Sequence, residues 1–298
     1  MLISHYGEFA ALLVAFFWTI TALSFESAAM KVGSLPVNLI RLVFGFIFLS
    51  VLTWVVRGNP LPSDASVDNW IWLSVSGLIG FVLGDLFLFK SYTIVGSWFA
   101  MLIMTLAPPL AAIFGWIILG ETMSRLSLLG MFLTITGISV AIFSRKSKKE
   151  KFTINKPIKG IVFAFLGALG QGLGIVFSKF GMNDYNAFAS TQIRIITGII
   201  GFVIIVSLSR RWKSIFMAFR NKEGIRAITI GSFFGPFLGV SFSLIAIKHT
   251  STGIASTIMA IVPILIIPPS ILLFKHKITI REIIGVVLGI AGVALFFL

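Results

Sequence analysis

The chain has 298 residues, of which 57% are hydrophobic and 11% charged, with 30 phenylalanines and a formal net charge of +14. A soluble domain carries roughly a quarter of its residues as charge, so this composition excludes a water-covered globule and points to a polytopic membrane protein. Cysteine is absent, which excludes disulfides, thiolate metal sites and cysteine nucleophiles.

Segmenting on charge, proline and polar clusters predicts ten apolar spans, each near the ~20 residues that cross a hydrocarbon core. The first, 8–30, has no basic flank and no small-residue cleavage site, so it reads as a retained span and not a signal peptide. Trp18, Thr21 and Phe25 share one stripe of it, and Glu26 follows. The second, 37–56, carries Arg41 near its start, where an arginine is expected to anchor at headgroups. The third, 70–91, contains GFVLGD, with Gly80, Gly84 and Asp85 inside an apolar run, and Lys90 placed to snorkel. The fourth, 97–119, holds Pro108 and Pro109, and the fifth is 126–143. After the basic run SRKSKKEKFTINKPIK comes the sixth, 159–180, with Gln171, Gly174 and Ser178 on one stripe beside Lys179. The seventh, 187–208, bears Arg194, read like Arg41 as an anchor. A second basic run, SRRWKSIFMAFRNKEGIR, leads to the eighth, 226–247, which contains GPFLGV, Ser241 and Ser243. The ninth, 253–274, has Pro263, Pro268 and Pro269, and the tenth is 281–298. None of these runs alternates as a barrel strand does, and helices satisfy their own backbone in lipid.

The two halves match. Gly80 and Gly84 recur as Gly235 and Gly239 at an offset of 155, as do Pro108 as Pro263, Gly130 as Gly285 and Gly137 as Gly292. Upstream the offset is 153, pairing Gly7 with Gly160 and Arg41 with Arg194. Five spans per copy is an odd number, so the second copy enters the membrane from the opposite side. The expected fold is an all-α membrane protein with ten transmembrane helices, arranged as two five-helix inverted-topology repeats over residues 1–150 and 151–298.

The positive charge lies in loops between spans, which suits topology and anionic lipid as partners and not nucleic acid. Most of it falls on one side. The charge bias therefore sets the basic loops in the cytoplasm and both termini outside. Asp85 is the strongest functional candidate, because a charge within a span costs ~2.5–3.5 kcal/mol on insertion scales and normally faces a cavity or a partner. The candidate solute-binding set is Trp18, Thr21, Asp85, Gln171, Gly174, Ser178 and Ser241, although for Thr21 and Ser178 ordinary packing and interhelical hydrogen bonding is the favoured reading. Glu26 and Lys179 occupy equivalent places on the first and sixth spans and are the candidate gating pair. A buried carboxylate, Asp85 or Glu26, supplies a group for proton coupling. No HExxH, no paired metal-ligand spacing and no GxxxxGK[ST] occur, so neither an enzyme nor a nucleotide-driven pump is expected.

The stretch KSYTIVGSWFAMLIMTLAPPLAAIFGWIILGETMSRLSLLGMFLTITGISV resembles the C-terminal half of an EamA repeat, of the drug/metabolite transporter superfamily. AIKHTSTGIASTIMAIVPILIIPPSILLFKHKITIREIIGVVLGIAGVAL resembles the same pattern, and Trp18 followed by Arg41 is similar to the family's first two helices. The resemblance implies ten helices, no cofactor, termini inside, and export of small metabolites such as amino acids. The chain departs from the family at Glu26, where lysine is common, at His276, the counterpart of Glu121, and at Asp85. The expected activity is secondary active or facilitative export of amino acids or similar amphipathic solutes across a bacterial cytoplasmic membrane. Alternating access at a midplane pocket is the expected mechanism, with the solute, lipid and protons as partners. The alternatives are transport of a nucleotide-sugar or lipid-linked precursor, a membrane-embedded enzyme, and a non-transporting subunit.

Overall fold

A computed structural model describes residues 5–95, 100, 103–144, 157–269 and 279–298, and the regular structure among them is helical. Helices α1 (Tyr6–Val32) and α2 (Ser34–Arg57) meet at Gly33, whose φ of 87° is a backbone state that favours glycine and reverses the chain in one residue. Helix α3 (Val67–Gly77) opens on a capping box between Ser66 and Asn69. It runs through a π-helical stretch, Leu78–Gly84, into α4 (Asp85–Val95). Helices α5 (Ala107–Leu119), α6 (Arg125–Ser144), α7 (Ile158–Met182) and α8 (Ala187–Leu208) follow. A short α9 (Trp212–Ala218) forms inside the second basic run, where the sequence reading placed only a loop. Helix α10 (Lys222–Ser232) passes through a second π-helical stretch, Phe233–Gly239, into α11 (Val240–His249). Helices α12 (Thr252–Met259), α13 (Val262–Leu265) and α14 (Ile280–Ala294) complete the described chain.

Nine helical stretches among the described residues are long and apolar enough to cross a membrane, and Ala107–Leu119 is a shorter apolar helix of 13 residues. The start of the expected fourth span and the end of the expected ninth, with His276, lie outside the described residues. Large apolar side chains such as Trp54, Val55, Trp116 and Leu208 stand exposed on the bundle's outside. In water such a surface would drive association, whereas in lipid it is the solvent-matched face.

Small residues set the helix spacing. A Cβ on Gly130 would fall 2.8 Å from the carbonyl oxygen of Gly292, and one on Gly285 would fall 2.7 Å from that of Gly137. Helices α6 and α14 therefore run antiparallel, backbone against backbone. The four glycines are the two pairs that the offset of 155 relates. Other contacts are reciprocal in the same way. Gly7 abuts Thr250 while Gly160 abuts Ile94 and Val95, and Gly45 abuts Pro236 while Gly198 abuts Phe81. The two π-helical stretches are themselves separated by 155 residues.

One end of the bundle is tied outside the spans by Arg57, Asp64 and Tyr185. The Arg57 guanidinium pairs with Asp64, and the Tyr185 hydroxyl donates to Asp64 Oδ1 at 2.7 Å. That hydroxyl bond, more than the nearby Arg57, holds the Asp64 carboxyl below its ordinary 3.8, against a partial desolvation that pushes the other way. Partial burial first, and the Asp64 bond second, push Tyr185 from 10.0 up to about 12. The signs follow by linkage. Asp64 contributes stability above pH 3.8 that is lost as pH falls through its lower folded value. Tyr185 contributes stability below pH 10.0 that is lost as pH rises through about 12. Tyr185→Phe is expected to flatten both limbs of a melting-temperature profile in detergent. The amplitude should be below ~1 kcal/mol, because the cluster is half in water.

Candidate functional site

A cavity of about 420 Å³ lies inside the bundle, lined from both halves of the chain. The two π-helical stretches shape it. Each inserts an extra residue into its helical turn, a device common at functional sites, and each carries the paired glycines noted in the sequence. A Cβ on Gly170 would fall 2.8 Å from Gly84 Cα, and one on Gly174 would fall 3.0 Å from Gly80 Cα. Helix α7 thus lies directly on the first π stretch, which brings Gln171 to Asp85. On the other side a Cβ on Gly235 would meet Thr21 at 2.7 Å, and one on Gly239 would meet the Trp18 indole nitrogen at 2.5 Å. The glycines let side chains of α1 reach the cavity wall past the second stretch.

Of the residues expected from sequence, Trp18, Thr21, Asp85, Gln171 and Gly174 line this one cavity, with Phe25 from the same stripe. Asp85 is buried; Arg41 Nη2 donates to its Oδ2, and Gln171 Nε2 donates to its Oδ1 at 3.2 Å. Arg41 also lies over the Phe25 ring, 5.6 Å from its centre. The expectation that Arg41 anchors at headgroups is therefore corrected, because its side chain turns into the bundle, where a carboxylate offsets the cost of burial.

Arg194 is corrected in the same way. It is 6% exposed, lines the cavity and sits 4.7 Å from the centre of the Phe81 ring. Its Nε has no hydrogen-bond partner, and no carboxylate among the described residues pairs with it. The duplication of Arg41 as Arg194 was the available signal for both, and the position near a helix start concealed it.

Three expected residues fall elsewhere. Ser178 Oγ donates to the Gly174 carbonyl at 2.6 Å and shares a 2.7 Å hydrogen bond with Ser76, so it joins α7 to α3 behind the cavity wall. Ser241 is fully buried away from the cavity, and Ser243, two residues on, lines it. Lys179 pairs with Glu121 at 2.6 Å and donates to the Thr250 carbonyl at 2.7 Å. Glu121 Oε2 in turn accepts from the backbone and hydroxyl of Thr252, each at 2.7 Å, while the Thr250 hydroxyl donates to Glu8 at 2.7 Å. This network knits α1, α5, α7 and the α11–α12 junction at the end of the bundle that carries Arg57 and Tyr185. The Glu26 side chain lies outside the described residues. No group of three or more His, Asp or Glu side chains able to hold a metal ion forms among the described residues.

The sequence profile of the EamA-like transporter family matches residues 5–143 and again residues 158–298. An uncharacterized transporter of Clostridium kluyveri is 24% identical over 96% of this chain and 91% of its own length. A candidate ribose uptake protein of Lactobacillus johnsonii is 31% identical over 49% of each chain. A solved crystal structure shares the fold with a TM-score of 0.76 at 15% identity, over 98% of this chain and 96% of its own. With nine helices among the described residues apolar and long enough to cross a membrane and the family profile covering nearly the whole length, this integral membrane protein belongs to the EamA-like transporter family.

Proposed function

We propose that the chain is a secondary transporter that exports small amphipathic metabolites such as amino acids across a bacterial cytoplasmic membrane by alternating access. The observation that carries this reading is the cavity, which both halves line and which holds the Arg41–Asp85–Gln171 cluster in a mostly apolar wall. Its size is in the lower part of the ~300–1,000 Å³ typical of small-molecule sites. The fold reading is ten helices in two inverted repeats, 1–150 and 151–298, related by a two-fold axis in the membrane plane. What supports it is the twofold match of the family profile, the matching π-helical stretches and the reciprocal glycine contacts. A self-complementary contact in which residue i meets j and the equivalent of j meets the equivalent of i is what a two-fold axis generates.

The Glu121–Lys179 pair joins the chain at one end of the bundle, and Phe25, Leu88 and Ile142 are among the residues that line the cavity. With the basic loops in the cytoplasm, alternating access requires the Glu121–Lys179 latch to part in the outward-open state. Proton coupling is assigned to Asp85, whose neutralisation would release Arg41 and Gln171 together.

A phosphate-bearing cargo such as a nucleotide-sugar fits less well, since Arg194 is the one cavity-lining cation among the described residues without a carboxylate partner. Uptake of a neutral sugar is the second reading, favoured by the name of the Lactobacillus relative. Purified protein in sealed liposomes is expected to give saturable counterflow of radiolabelled leucine or phenylalanine above that of empty vesicles. Flux of ribose alone would replace the first reading with the second, and no flux of any solute would end both.

A further inference from the structure

We propose that Arg194 is the docking group for a carboxylate on the solute, so that the cargo class is small organic acids and zwitterions and excludes neutral sugars and simple amines. The inference rests on the transport reading and goes beyond it in naming a required chemical group and its receptor. Arg194 is 6% exposed and carries a permanent charge, yet its Nε is unbonded and no carboxylate among the described residues answers it. An arginine taken out of water normally has an acid beside it, as Arg41 has Asp85. The Phe81 ring, 4.7 Å from the guanidinium carbon, supplies part of the missing stabilisation but no hydrogen-bond acceptor. The planar fork is thus held ready against a cavity wall with donors to spare, which is the geometry that a carboxylate completes with two parallel hydrogen bonds.

The surroundings favour one carboxylate and an apolar or zwitterionic remainder. A Cβ on Gly80 would lie 3.6 Å from Arg194 Nη2, so the guanidinium is next to the bare backbone of the first π stretch, with room left by the missing side chain. Asp85 stands five residues further along the same helix, ~7 Å of rise away. A solute bound to Arg194 through its carboxylate therefore has an acidic group within one small molecule's reach for its ammonium. Trp18, Phe25 and Met259 offer apolar wall for a side chain.

The test uses the purified full-length chain and follows ligand-induced shifts of melting temperature for leucine and phenylalanine, their carboxamides and decarboxylated amines, inorganic phosphate and ribose. The acids are expected to bind at least about 10-fold more tightly than the matched carboxamides. In Arg194→Met this preference should fall to about one. Arg194→Lys should keep part of it, since the charge remains and the two-pronged geometry does not. Equal binding of acid and carboxamide by the unaltered protein overturns the proposal, as do an undiminished preference in Arg194→Met, tighter binding of phosphate than of the acids, and binding by none of the acids. Should Arg194→Met fail to fold, judged by circular dichroism and size exclusion, Arg194→Lys and the acid–carboxamide ratio of the unaltered protein decide. Ribose or amine flux in liposomes with no acid preference would leave a working transporter and remove only the role of Arg194.

Discussion

Asp85→Asn is expected to abolish pH-dependent transport and to destabilise the protein by about 3–5 kcal/mol, the usual cost of breaking a buried ion pair from one side. The reason is geometric. Asp85 accepts from both Arg41 and Gln171, and an asparagine keeps the shape while leaving the Arg41 charge without its counterion. The partners are mostly buried, with side-chain exposures of 17% for Arg41 and 11% for Asp85, so water cannot take over the role cheaply. Removing both charges as Arg41→Met with Asp85→Leu should recover most of the lost stability, because no orphaned ion remains. Transport should not recover. Melting temperature in detergent reports the first effect, and flux across a pH series in liposomes reports the second. A flux of ordinary size and pH profile in Asp85→Asn would remove this carboxylate from coupling.

The second large effect concerns Gly137. Its Cβ would lie against the Gly285 carbonyl and the Gly289 backbone nitrogen, and neither atom can move without moving helix α14. Gly137→Ala is therefore expected to cost about 1–3 kcal/mol as an overpacked contact, and Gly137→Leu to prevent recovery of a monodisperse protein. Gly80→Ala is the internal comparison. There the new methyl group would meet nothing closer than 3.6 Å, so stability should change by less than ~1 kcal/mol. Thermal melts of the variants in one detergent decide the matter. Equal losses at the two glycines would mean that helix propensity, and not close approach, sets their cost. In lipid this close approach carries particular weight, because apolar helices gain no hydrophobic drive from meeting one another.

The boundary between what could be read in the sequence and what could not follows the range of the interactions. Long apolar runs identify helices because each span satisfies its backbone hydrogen bonds locally, whatever its neighbours do. For that reason the spans around Trp18, Asp85 and Gln171 were legible, and periodicity alone set Trp18, Thr21 and Phe25 on the stripe that lines the cavity. The glycines at residues 80, 84, 235 and 239 announced close contacts, though not with which helix. Tertiary structure alone decided the pairings. Arg41 and Arg194 stand seven residues into α2 and α8, close enough to the ends to suggest headgroups, and only the face of the bundle they occupy turns them inward. Lys179 looked like a partner for Glu26, but it meets Glu121, which is 58 positions away in sequence and reaches it from the end of α5. The same holds for Ser178, whose neighbour Ser76 fixes it behind the cavity wall. Composition and period describe one helix at a time; the direction a charged side chain takes depends on which other helices surround it, and the folded bundle alone sets that.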